Sequence, residues 1–104
     1  EAEAGGAVVI GLDERAFAGN LDEILAAFQS AYPRTSLGYS YKTNYLPRLC
    51  QLVHAAGQYA EVVSAMEYEL ARRLGVAGER IIFNGPLKLE PELSRALLEG
   101  AQVN

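Results

Sequence analysis

Apolar positions along this chain follow two alternating patterns, short extended runs and longer helical stretches. Ala7 to Ile10 reads as a brief apolar strand closed by Gly11. Asn20 with Glu23 three positions later has the form of a capping box, and Leu21, Ile24, Leu25, Phe28 and Tyr32 then share one helical face as far as Pro33. Leu37 to Lys42 alternates instead. Leu37, Tyr39 and Tyr41 point one way and Gly38, Ser40 and Lys42 the other, which makes a strand with one bulky and one small face. Pro47 suits a first helical turn, where its missing amide costs nothing. Leu46, Leu49, Cys50 and Val53 follow at helical spacing until Gly57 stops the helix.

The same unit then recurs. Tyr59 to Val63 reads as a second strand and Ser64 to Leu74 as a second helix, with Met66, Leu70 and Leu74 stacked as core and Gly75 as terminator. Arg80 to Asn84 reads as a third strand, and Pro91 opens a third helix in which Leu93, Ala96 and Leu97 point inward before Gly100 ends it. The strand starts Leu37, Tyr59 and Ile81 recur every 22 residues, a regular alternation that predicts parallel strands covered by helices. The fold class is α/β: part of a (β/α)8 barrel, about three βα units with a preceding strand and helix, and a fourth strand starting within Ala101 to Asn104. Residues 7–104 form this incomplete barrel. Residues 1–6 stand outside it, because the opening Glu1 to Ala4 has the form of a spacer left by leader trimming, an expression scar or disordered tail.

Composition narrows the function classes. The net charge is -4, and the arginines are scattered rather than striped, which argues against nucleic acid as a partner. No apolar run approaches the length of a membrane span. Cys50 and His54 are the only cysteine and histidine, so neither a disulfide framework nor a zinc site is expected, and the cytoplasm is the expected compartment.

The chemistry-bearing groups gather at strand ends. Lys42, Glu61 with Ser64, and Asn84 fall at or near the C-terminal ends of the three strands, where parallel barrels place their functional groups. A lysine on the small-residue face of a crowded interior loses solvation, and its free amine becomes a nucleophile toward an aldehyde. The structural alternative for Lys42 is a lysine capping a strand at the surface. Glu61 sits in a strand of Tyr59, Ala60, Val62 and Val63, so its carboxylate needs a partner, and Lys42 is the expected one. Ser64 and Glu67 make an S-x-x-E capping box, which accounts for both without a ligand.

Three segments in register carry a resemblance: Tyr39 to Asn44 ("YSYKTN"), Ala60 to Gly75 ("AEVVSAMEYELARRLG") and Arg80 to Lys88 ("RIIFNGPLK"). From about Leu12 onward the chain resembles the N-terminal part of the fold-type III pyridoxal-phosphate decarboxylases, the diaminopimelate and ornithine decarboxylase group with an alanine-racemase-like barrel. The resemblance implies that Lys42 is the lysine that holds pyridoxal 5'-phosphate and that Glu61 lies beside it. It places Asn44, Ser64, Glu67 and Asn84 near the cofactor, while Gly85 and Lys88 match a strand-end turn. It further implies decarboxylation of a basic or diamino L- or D-amino acid, with a small-molecule amino-acid substrate and a homodimer or higher homo-oligomer. Complete members carry a glycine-rich phosphate loop, a ring-stacking histidine and a C-terminal β domain, to which nothing in this sequence corresponds. Residues 1–104 by themselves are therefore expected to be inactive. Two rivals stand beside this reading: a racemase or non-catalytic pyridoxal-phosphate barrel using the same lysine, and a catalytically silent, oligomerising structural piece with open sheet edges.

Overall fold

The computed structural model describes residues 8–104. Helix α1 (Glu14–Ala31) comes first, and its N-cap is Asp13, whose side chain accepts from the amide of Ala16 at 3.0 Å. The helix thus begins earlier than the Asn20 box predicted, because a better-placed aspartate stands upstream. The expected strand at Ala7 to Ile10 is absent over Val8 to Ile10. These residues have no pairing partner among the described residues and are exposed, and Ala7, like the predicted tail at 1–6, lies outside the described residues.

Strands β1 (Gly38–Ser40), β2 (Tyr59–Val62), β3 (Ile81–Phe83) and β4 (Gln102–Val103) form one sheet in the order β1-β2-β3-β4, every pair parallel. Helices α2 (Pro47–Ala55), α3 (Ala65–Arg73) and α4 (Glu90–Leu98) are the crossovers. This is three βα units opening into a fourth strand, as the 22-residue period predicts. A parallel neighbour cannot be reached by a tight turn, so each crossover helix comes with the topology.

The helices cover one face. Tyr41, Ala60, Val62, Ile81 and Phe83 from the strands pack with Cys50 of α2, Tyr68 and Ala71 of α3, and Ala96 of α4. On α3, Leu70 and Leu74 pack against the core as expected, but Met66 is exposed and the fully buried residues are Glu67, Tyr68 and Ala71, because the aromatic ring of Tyr68 stacks on Phe83 at 5.5 Å and turns that side of the helix inward. Leu97 is likewise exposed, and Ala96, small enough for the close helix–sheet approach, takes the core position. On α1 only Leu21 and Leu25 of the expected apolar face are buried; Ile24, Phe28 and Tyr32 are exposed.

One polar clamp and one close glycine contact fix the sheet and its last crossover. Buried Gln58 accepts from the amide of Leu37 at 2.7 Å and donates to the carbonyl of Ala56 at 3.0 Å, tying β1 to the turn before β2. Gly78 packs against the end of α4, where a Cβ would overlap the carbonyl oxygen of Glu99. Only glycine permits that approach.

Candidate functional site

The C-terminal ends of the four strands lie side by side because the register is in phase. Ser40, Glu61 and Ile82 occupy one row, with Gln102 beside Ile82. A Cβ on Gly38 would lie 3.8 Å from Cβ of Glu61 and 3.5 Å from Cδ1 of Ile82, so these residues share the face turned away from the helices. The ladder runs on past the strands, through the amides of Tyr41 to Glu61, Asn84 to Val62 and Asn104 to Phe83.

Lys42 follows that last β1 ladder residue. It stands in the turn after the strand and is exposed. The turn is closed by Thr43, whose Oγ1 and amide both donate to the carbonyl of Ser40, at 2.9 and 3.3 Å. The lysine therefore sits at the strand-end rim, as expected, but not in the crowded interior on which the desolvation argument rests. The strand before it is well anchored: Tyr41 is buried against Cys50, which pushes its hydroxyl up, and Tyr39 donates to the carbonyl of Asn44 at 2.9 Å. Asn44 accepts from the amide of Leu46 at 3.0 Å and so shapes the entry to α2.

Glu61 does not pair with Lys42. Its Oε1 accepts from Nδ2 of Asn84 at 2.9 Å, and Oδ1 of Asn84 in turn accepts from Nδ2 of Asn104 at 2.7 Å. The register explains the difference, since the strand pairing that sets Glu61 opposite Ile82 leaves Asn84 just above it on the same face. A polar row, Glu61–Asn84–Asn104, thus crosses β2, β3 and β4.

The loop beyond β3 is fixed as tightly. Gly85 takes φ 98°, and a Cβ there would meet the carbonyl oxygen of Val63 at 2.5 Å. Nζ of Lys88 donates back to the carbonyl of Gly85 at 2.6 Å and across to that of Asn104 at 2.5 Å, and lies 5.4 Å from the centre of the Phe83 ring. Sequence reasoning missed Asn104 and the Lys88 clamp. Asn104 was within reach, because it stands two residues beyond Gln102 as Asn84 stands two beyond Ile82.

Ser64 and Glu67 form the predicted cap of α3. Oγ of Ser64 accepts from the amide of Glu67 at 3.2 Å and donates to its Oε2 at 2.9 Å. Glu67 is buried, and its Oε1 has no hydrogen-bond partner among the described residues. No group of three or more metal-binding side chains occurs among the described residues.

Three kinds of likeness agree with this geometry. Residues 18–104 match the family model for the pyridoxal binding domain of pyridoxal-dependent decarboxylases. Diaminopimelate decarboxylase of Aquifex aeolicus is 35% identical over 77 residues, 74% of this chain and 18% of that protein. The lysine/ornithine decarboxylase of Selenomonas ruminantium is 36% identical over 56 residues, 54% of this chain and 14% of that protein. Diaminopimelate decarboxylase of M. jannaschii, solved with L-lysine, superposes with TM-score 0.80 at 26% identity, over 89% of this chain and 23% of that one. The chain thus spans roughly a fifth of the relatives it matches. It belongs to the pyridoxal-dependent decarboxylase family, as part of the pyridoxal-binding domain of that family's barrel.

Proposed function

We propose that this domain serves the pyridoxal-phosphate-dependent decarboxylation of a basic or diamino amino acid, with Lys42 as the residue that holds the cofactor. The observation that carries this reading is the position of Lys42, exposed just past the last ladder residue of β1, at the sheet end that also carries Glu61, Asn84 and Asn104. The residues fit the cofactor's aldehyde: a primary amine at the rim, outside the ion pairs formed among the described residues, is the group an aldehyde condenses with. The bound cofactor supplies an electron-poor ring that accepts the electrons left when carbon dioxide departs. The chain's own contribution is placement. Buried Tyr41 fixes the strand end under Lys42, Glu61 offers a carboxylate on the open face, and the Ser64 cap anchors α3 behind it.

The basic or diamino substrate rests on the relatives, whose names include diaminopimelate, lysine and ornithine decarboxylases. In this reading the whole enzyme is a cytoplasmic homodimer, and residues 1–104 alone turn substrate over little or not at all. Carbon dioxide release tests the reading. With pyridoxal phosphate present, the whole gene product should release it from diaminopimelate, lysine or ornithine, and residues 1–104 should not. Epimerisation of the amino acid without carbon dioxide would favour the racemase alternative.

The second reading, a silent oligomerising piece, has its own support in the exposed Ile24 and Phe28 beside the start of β1 and the exposed Leu97 and Leu98 on α4 before β4, near two strand edges that have no partner among the described residues. Under it, residues 1–104 sediment as an oligomer and take up no cofactor at Lys42.

A further inference from the structure

The carboxylate of Glu61 is turned along the sheet toward Asn84 rather than toward the lysine two residues beyond its in-register neighbour Ser40. Two residues of chain and one strand spacing put Cα of Lys42 no more than about 9 Å from Cα of Glu61, within the combined reach of the two side chains. No ion pair forms between them, and Glu61 bonds to Asn84 instead. A carboxylate accepting a hydrogen bond is anchored, and the amide that anchors it is held in turn. Asn84 can donate to Glu61 only while its Oδ1 faces the other way, and Nδ2 of Asn104 donates to that oxygen at 2.7 Å. Beneath both asparagines the Lys88 ammonium joins the carbonyls of Gly85 and Asn104, which locks the loop after Asn84 to the end of β4.

We infer that Asn84 is a positioning residue that keeps Glu61 off Lys42. The consequence is chemical. A carboxylate in contact with an amine favours its ammonium form, which has no lone pair and does not add to an aldehyde. Anchored on Asn84, Glu61 stays on the open face without pairing with the lysine. The other charged groups at the C-terminal ends of the strands are Glu61 on β2, Glu67 at the start of α3 and Lys88 in the loop after β3. Glu67 is buried on its own cap and Lys88 is engaged by two carbonyls, so Glu61 is the one whose partner a single substitution at Asn84 changes. The use of this arrangement rests on the reading of Lys42 as the cofactor lysine, but its test does not.

The test is competitive labelling of residues 1–104 with acetic anhydride at neutral pH, scored by peptide mass spectrometry as the ratio of Lys42 to the α-amino group. Asn84→Leu, close in shape and without a donor, should lower that ratio about threefold, the size of effect expected of an exposed ion pair. Glu61→Gln should leave it unchanged or raise it. In the Glu61→Gln background, Asn84→Leu should have no further effect. Circular dichroism and a thermal melt on each variant show that it is folded, and Asn84→Ala serves as the second variant if Asn84→Leu is not. An unchanged ratio in Asn84→Leu, or a loss that persists without the Glu61 carboxylate, overturns the inference. A parallel arm with pyridoxal phosphate and borohydride separates the two claims: failure of that arm alone removes the cofactor reading and leaves the positioning of Glu61 standing.

Discussion

Gly85 packs its α-carbon against the backbone of Val63, so closely that a Cβ would stand 2.5 Å from the Val63 carbonyl oxygen. The contact joins the loop after β3 to the end of β2, and it fixes the residue before it, Asn84, above Glu61. Gly85→Ala must therefore move backbone as well as accept φ 98°. It should cost about 2–4 kcal/mol, against about 1 kcal/mol for Gly75→Ala, which has positive φ but open space. Urea unfolding of the two variants measures the difference, and equal costs would mean that the loop yields without strain.

Lys88 reaches two carbonyls and an aromatic face with one ammonium. Lys88→Met keeps the stem and loses the charge-assisted bonds, so stability should fall by about 1–2 kcal/mol. Thermal unfolding measures the loss, and hydrogen exchange at the Asn104 amide should rise with it, because that amide closes the β3–β4 ladder.

Glu69 holds Arg73 at 2.9 Å on its own helix and Arg95 at 2.5 Å on α4. These guanidiniums bring its carboxyl down to about 2, from an ordinary value of 4.5. A carboxyl lowered in the folded state stabilises that state fully above its unfolded value and loses the effect as pH falls through the folded one. Glu99 shifts the same way, through the hydroxyl of Tyr68, which donates at 2.7 Å, and through Arg72 and Arg95. The thermal midpoint should therefore drop between pH 4.5 and about 2. Glu69→Gln should flatten that drop, and salt should weaken it because the group is partly exposed.

Much of the architecture was legible because the strand starts are set by local pattern. Leu37, Tyr59 and Ile81 open segments of extended character, and Ser64, Gly57 and Gly75 mark helix boundaries through their own backbone chemistry. The misreadings are those in which a partner decides. The apolar Val8 to Ile10 has strand composition and no strand beside it. The phase of α3 is fixed by Tyr68 meeting Phe83, a pairing no window of α3 contains. The site divides in the same way. The Ser64–Glu67 cap is a local motif and forms as expected, and Lys42 stands at the strand-end rim where its place in the sequence puts it. The partner of Glu61 lies 23 residues away on the neighbouring strand and depends on register, so a charge-pairing argument chose the lysine where the geometry chose an amide. Solvation of Lys42 depends on what covers the open face, which residues near it in sequence do not determine.

The central claim is that the amine of Lys42, at the rim of β1, is the group that takes the cofactor. Residues 1–104 mixed with pyridoxal phosphate, reduced with borohydride and digested should carry the pyridoxyl group on the peptide containing Lys42, in excess over that containing Lys88, whose ammonium is engaged. Label spread evenly over Lys42, Lys88 and the α-amino group, or missing from Lys42, would contradict it.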